Sequence, residues 1–300
     1  MNERRLYVGT LCLLGLGWGV TQPLGKIATS TGHQPFGLIF WQLVICSVVL
    51  GAMSLPRGKG LVFRREALQF YVVVALLGTL IPNYTFYISV THLPAGIMSI
   101  LISTIPLIAF PLALALGIDR FSVLRLCGLL LGVAGVALIA LPDGSLPAAG
   151  MVAYLPLAML GPLFYATEAT YVAKWGTAGL DPVQAMFGAS VVGAVLCLPL
   201  ALASGQFIDP TAVWGRAEWA LMASSGIHAL VYASYVWLAA RAGSVFASQT
   251  SYLVTATGLI WAMVLLGERF SPVVWLALVV MLSGVALVQP RGAAKAGMRI

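Results

Sequence analysis

The sequence predicts an all-α integral membrane protein: ten transmembrane helices arranged as two inverted five-helix repeats around a central cavity. Three observations carry this reading. Charged residues make up 8% of the 300-residue chain and hydrophobic ones 60%, with a mean hydropathy of +0.99; soluble domains are roughly a quarter charged. Apolar runs of about twenty residues, the length a helix needs to cross about 30 Å of hydrocarbon, recur throughout, without the ten-residue alternation of barrel strands. The third observation is a duplicated pattern. Gly117-Ile118-Asp119-Arg120-Phe121-Ser122, followed by an apolar run containing Gly135-Val136-Ala137-Leu138, returns as Gly267-Glu268-Arg269-Phe270-Ser271 with Gly284-Val285-Ala286-Leu287 behind it. Upstream, Gly78, Tyr84 and Tyr87 match Gly226, Tyr232 and Tyr235. A duplicated unit with an odd number of spans inserts its second copy upside down, and such a plan places a pathway between the halves.

In chain order the spans are expected as follows. Leu6–Ala28 follows Arg4-Arg5; it is too long for a signal peptide, lacks a small-x-small cleavage pattern and opens the first repeat, so it is read as retained. Phe36–Leu55 starts behind Pro35, Leu68–Val90 behind Arg64-Arg65, and Ala95–Leu116 behind Pro94. Val123–Leu141 closes the first repeat, with Gly128, Gly132 and Gly135 forming a small-residue ridge for close helix approach. The second repeat supplies Met151–Ala173, Pro182–Ala203, Trp219–Ala240, Ser244–Leu266 and Pro272–Val288. The repeats are bounded as residues 1–145 and 146–300. The longest interruption, 204–218, is too short to fold alone.

With both termini cytoplasmic, thirteen of the sixteen Lys and Arg residues fall on the inner side, leaving Lys26, Arg216 and Arg269 outside. This bias holds only for an even span count. The net charge of +7 is thereby assigned to membrane edges, where anionic lipid headgroups attract cations, and calls for no nucleic-acid partner. Cys12, Cys46, Cys127 and Cys197 lie singly in four different runs and suggest neither a metal site nor disulfides, only small buried apolar residues.

The polar residues that lipid would reject are the candidates for a pathway. Glu168 stands mid-span in Tyr165-Ala166-Thr167-Glu168; a carboxylate there costs about 2.5–3.5 kcal/mol on insertion scales. It reads as a contact for a substrate ammonium or a protonatable relay, or else as a carboxylate packed against Lys26, Lys174 or a backbone amide. Trp18, Gln22 and Lys26 are spaced four apart and share one helical stripe. They describe either a pathway wall, with Lys26 attracting a carboxylate, or a packing Trp beside a snorkelling Lys. Asn83, Tyr84 and Tyr87 in the third span, and His228, Tyr232 and Tyr235 on one face of the eighth, are expected as matched aromatic cavity walls, the alternative being interfacial belt residues. Ser103, Gln249 and Tyr252 add polar groups from the fourth and ninth spans. Pro23, Pro82, Pro106 and Pro162 are the expected bending points.

Two five-span halves, each with a Tyr-rich third span, a fourth span ending in Gly plus an acid, and a fifth span carrying Gly-Val-Ala-Leu, resemble the EamA-type transporters of the drug/metabolite transporter superfamily over nearly the whole chain. The second half matches better: Gly267-Glu268-Arg269 fits the family pattern, whereas Gly117-Ile118-Asp119 has one residue inserted and a shorter acid. The family's fourth-span proline is present as Pro106 and replaced by Thr255 in the second copy. The resemblance implies a bacterial inner-membrane transporter, similar to exporters of amino acids, aromatic ones included, working by alternating access as a monomer on a small-molecule substrate. Efflux of cationic drugs or nucleoside-like compounds is the alternative, and a non-transporting receptor or scaffold a further one. No cofactor or metal is expected. The chain lacks a phosphate-binding Gly-rich loop ending Gly-Lys-Ser and a His-Glu-x-x-His pair, so neither ATP hydrolysis within the chain nor an enzyme is expected.

Overall fold

A computed structural model of the chain describes residues 3–140, 146–242 and 250–288. Among them every regular element is helical: α1 Glu3–Ala28, α2 Pro35–Ser54, α3 Arg65–Ala75, α4 Ile81–His92, α5 Ala95–Ile102, α6 Ile105–Ala115, α7 Val123–Ala140, α8 Leu155–Trp175, α9 Pro182–Ala203, α10 Arg216–Ala242, α11 Thr250–Leu266 and α12 Pro272–Val288. Six continuous helical rods have the length and apolarity to cross a bilayer: Pro35–Arg57, Arg65–His92, Ala95–Ala115, Val123–Ala140, Gly150–Trp175 and Pro182–Ala203. The apolar helices Thr250–Leu266 and Pro272–Val288 are shorter. Large apolar side chains stand exposed around the bundle, Leu13, Val48, Val133, Val195, Val264 and Val279 among them, as befits a surface that meets lipid.

Helix ends follow the sequence. Pro35 and Pro182 occupy first-turn positions where a missing N–H costs nothing, and the Asp181 carboxylate accepts hydrogen bonds from the amides of Val183 (3.2 Å) and Gln184 (3.4 Å). The two copies of the glycine motif stop their helices alike. Gly117 and Gly267 adopt φ of +70° and +67°, a left-handed conformation that side chains resist.

Two rods are interrupted inside. Residues 76–80 form a π-helical turn between α3 and α4, just ahead of Pro82, and such single-turn bulges cluster at functional sites. Between α5 and α6 the chain breaks ahead of Pro106, and the hydroxyls of Ser103 and Thr104 bond back to the carbonyls of Ile100 (2.7 Å) and Leu101 (2.6 Å). Those bonds give the hydroxyls partners within the rod, where lipid offers none. Pro23 and Pro162 instead lie inside the continuous helices α1 and α8. At the second-repeat position of the Pro106 break stands Thr255, fully buried, and α11 runs unbroken past it.

Helix packing repeats the duplication. If each span is exchanged for the one five further on, α1 against α10 and α11 becomes α8 against α4 and against α5 and α6; α2 against α10 becomes α9 against α3. The pairs α2–α9, α5–α11 and α7–α12 map onto themselves. All of these contacts are present. The α7–α12 crossing brings backbone to backbone: Gly128 and Gly284 lie against each other's carbonyls, and Gly135 against Met281. Gly132 faces Leu107 of α6. Of the cysteines, Cys46 and Cys197 are buried as expected; Cys12 and Cys127 are exposed, because α1 and α7 turn those faces outward.

Candidate functional site

The candidate site grows from the seam where α8 meets the π turn and α4. Gly78, inside the π turn, has no side chain, and a Cβ built there would come within 3.2 Å of Glu168 Cδ. The carboxylate therefore lies directly on the bulged backbone. Glu168 is half-buried, and among the described residues it has no hydrogen-bond or salt-bridge partner. The phenols of Tyr165, one turn earlier on α8, and of Tyr232 on α10 lie within its electrostatic reach. The cations that sequence alone left as partners are engaged elsewhere. Lys174 donates to the Leu116 carbonyl (3.2 Å) and lies over the Trp175 ring. Lys26 is bound at one end of the bundle.

Beside Glu168 runs a connected polar network. Tyr165 donates through its hydroxyl to Asn83 Oδ1 (2.9 Å); Asn83 Nδ2 donates to Gln42 Oε1 (3.1 Å); Tyr87 donates to the same oxygen (3.1 Å). Asn83 and Tyr87 are buried, 8% and 4% exposed, so the network ties α2, α4 and α8 together in low-dielectric surroundings. Gln42 is absent from the sequence-based candidates. Its signal is a lone amide in the apolar run Phe40-Trp41-Gln42-Leu43-Val44, with no partner in the duplicated pattern to draw attention to it.

The aromatic residues divide between two walls. Trp18 of α1 meets Tyr235 (centroids 5.4 Å apart) and His228 (6.3 Å) of α10. On the other side Tyr84 packs on Phe36 at 4.9 Å. Glycines allow α1 to approach closely: Gly17 faces Val231 of α10, and Gly19 faces Thr257 of α11, whose hydroxyl donates to the Gly15 carbonyl (2.7 Å). Gln22 Oε1 is buried without a hydrogen bond. The stripe of Trp18, Gln22 and Lys26 thus spreads over three environments. Ser103 serves the break between α5 and α6, Tyr252 packs near Leu107, Phe110, Val285 and Val288, and Gln249 lies outside the described residues.

Lys26 ends α1 in a clasp. Its ammonium donates to the Leu93 carbonyl (2.8 Å) and to Glu268 Oε1 (3.3 Å), while Glu268 accepts from the amides of Ala95 (2.8 Å) and Gly96 (3.1 Å) at the start of α5. Phe270 lies against Gly96. The motif Gly267-Glu268-Arg269-Phe270 is therefore a turn, a helix cap and a packing ring in succession. In the first copy Asp119 instead bonds its neighbour Arg120 and pairs with Arg125. Away from both, a cavity of about 240 Å³ opens among His33, Gln34, Gln206, Asp209 and Glu218, with His33 bonded to Glu218.

A helical bundle built twice, apolar outside and carrying an unpaired carboxylate and amides at an inner seam, has the plan of a membrane transporter. The EamA-like transporter family model matches residues 5–141 and again 153–289, and the chain belongs to that family. A protein of Streptantibioticus cattleyicolor named "Probable terminal-alkyne amino-acid exporter" is 25% identical over 291 residues, spanning 95% of this chain and 93% of the relative. A protein of known crystal structure, 18% identical, aligns over 95% of this chain and 97% of its own with a TM-score of 0.60, a likeness of fold.

Proposed function

We propose that this transporter exports small zwitterionic metabolites, amino acids with apolar or aromatic side chains among them, across the bacterial inner membrane by alternating access. The repeats are residues 1–145 and 146–300. Five crossings each, ten in all, leave the second repeat inverted and both termini cytoplasmic. The substrate sits at the seam between repeats, and the rods interrupted at the π turn and ahead of Pro106 flex as the halves rock. The single observation that carries this reading is Glu168, a carboxylate without a partner, set beside Gly78, Tyr165 and Tyr232. An isolated anion at such a place is expensive, and a substrate ammonium supplies what it lacks. The name of the Streptantibioticus relative supports the amino-acid class.

The test is flux. The purified protein is placed in liposomes and uptake of labelled amino acids, nucleosides and quaternary amines is followed with the solute's own gradient as the sole driving force. Saturable uptake of aromatic or branched amino acids is expected. Uptake confined to permanent cations would replace this reading with drug efflux, which Glu168 among aromatic rings also accommodates.

A further inference from the structure

We infer that Gln42, together with Asn83, forms an amide subsite that holds the carboxylate of an α-amino acid while Glu168 holds its ammonium. This rests on the amino-acid reading above and adds a residue and a division of labour that it does not contain.

The argument is one of donors and acceptors. Gln42 Oε1 receives two hydrogen bonds, from Asn83 Nδ2 and from the Tyr87 hydroxyl, each 3.1 Å. A carbonyl oxygen has two lone pairs, so this one is saturated. Two donors converging on the oxygen also fix the amide, and its nitrogen keeps both N–H groups without a partner among the described residues. Asn83 directs one N–H to Gln42 and accepts from Tyr165, which leaves its second N–H unused. The network thus presents amide donors in excess. Glu168 presents the opposite excess: acceptor oxygens and no donor.

The two imbalances are joined through α8. Tyr165, which bonds Asn83, and Glu168 are three residues apart on α8, about 4.5 Å of helical rise. Neither group is sealed: the buried unpartnered side-chain atoms among the described residues are Gln22 Oε1, Ser89 Oγ and Ser271 Oγ, so the Gln42 nitrogen and the Glu168 carboxylate stay open to a ligand. A zwitterion with ammonium and carboxylate on one carbon fills both; an amine fills one. Neutral amides are also the donors such a site needs. A Lys or Arg here would pair with Glu168 and abolish the ammonium contact, whereas Gln and Asn bind a carboxylate and leave Glu168 charged. Lys26 does not intrude, since its ammonium is held by Glu268 and the Leu93 carbonyl.

The experiment compares L-phenylalanine with phenethylamine, the same molecule without its carboxylate, as substrates of the reconstituted wild type and of two variants. Gln42→Met keeps the shape and removes the amide. Gln42→Glu keeps the accepting oxygen for Asn83 and Tyr87 but removes the free donors. The wild type is expected to favour phenylalanine, and both variants to lose about tenfold or more in phenylalanine uptake, the order of one hydrogen bond to a charged group, while phenethylamine uptake is retained. Equal losses for both ligands in both variants, or undiminished phenylalanine uptake, would overturn the subsite and leave the amino-acid reading standing. A wild type that moves phenethylamine but no amino acid would overturn the reading and the subsite together.

Discussion

Lys26 and Glu268, 242 residues apart in the chain, form a 3.3 Å ion pair whose carboxylate also caps the first amides of α5. One side chain thereby ties the end of α1, the start of α5 and the turn between α11 and α12, joining the two repeats at one end of the bundle. The side chains are only 30% and 13% exposed, so the pair is shielded more than a surface bridge. Glu268→Ala removes three bonds to a charged group and is expected to destabilise the protein by about 2 kcal/mol, given that such bonds contribute about 1.5–3 kcal/mol each and are not additive. Glu268→Gln retains an acceptor for the amides and falls between. Thermal unfolding in detergent reads the order; coincident melts for all three proteins would show that the clasp contributes nothing.

Glu168 behaves oppositely. With no bonded partner to lose, Glu168→Gln removes a half-buried, unpaired charge and should leave the melting temperature unchanged or raised. Amino-acid uptake should fall about tenfold or more, the order of one charge-assisted contact. Both readouts come from one preparation. A variant that unfolds, or that transports like wild type, contradicts the role assigned to the carboxylate.

What the sequence made legible was whatever repeats or has a fixed period. Twenty-residue apolar runs, prolines at helix starts and the twice-written glycine motif each report a local physical demand, and the helices lie along those runs. Partnership across the bundle was not legible. The stripe of Trp18, Gln22 and Lys26 correctly defines one face of α1, but periodicity carries no information about which helix covers that face. Trp18 goes to α10, and Lys26 to a turn near the far end of the chain. Gln42 was missed for the same reason: its importance lies in two bonds to residues 41 and 45 positions away, Asn83 and Tyr87, the first of which is itself bonded by Tyr165. In the sequence Glu268 stands only as part of a motif, while its chemistry is that of a helix cap.

The α7–α12 crossing has no room for a side chain. A Cβ on Gly284 would lie 3.0 Å from Gly132 N and close to the Gly128 carbonyl, both backbone atoms that cannot rotate aside. Gly284→Ala is expected to cost about 1–3 kcal/mol, the usual range for overpacking. Gly9, whose Cβ would meet nothing within 4 Å, serves as the control, and Gly9→Ala should be neutral or slightly stabilising in a helix. Equal effects at the two positions, measured by thermal melts, would refute the close crossing.

Asp181 gives a pH-dependent element outside the spans. Burial raises its carboxyl pKa, but the hydrogen bond from Lys59, the Gln184 amide and the charges of Arg57 and Lys59 outweigh that and hold it below the ordinary carboxylate range. A carboxyl whose pKa is lowered on folding stabilises the protein above its unfolded value, about 3.9, and that contribution disappears as pH falls through the folded value. Arg57 and Lys59 are 44% and 40% exposed, so solvent screens the pairs and each is worth less than about 1 kcal/mol. Wild type should therefore melt slightly above Asp181→Asn at neutral pH. The gap should begin to shrink as pH falls below about 4, the unfolded value, and close as it passes the lower folded value; it should also narrow at neutral pH in about 1 M salt, where the screening length shrinks to about 3 Å. A gap that survives both acid and salt would show that pairing with Arg57 and Lys59 is not its source.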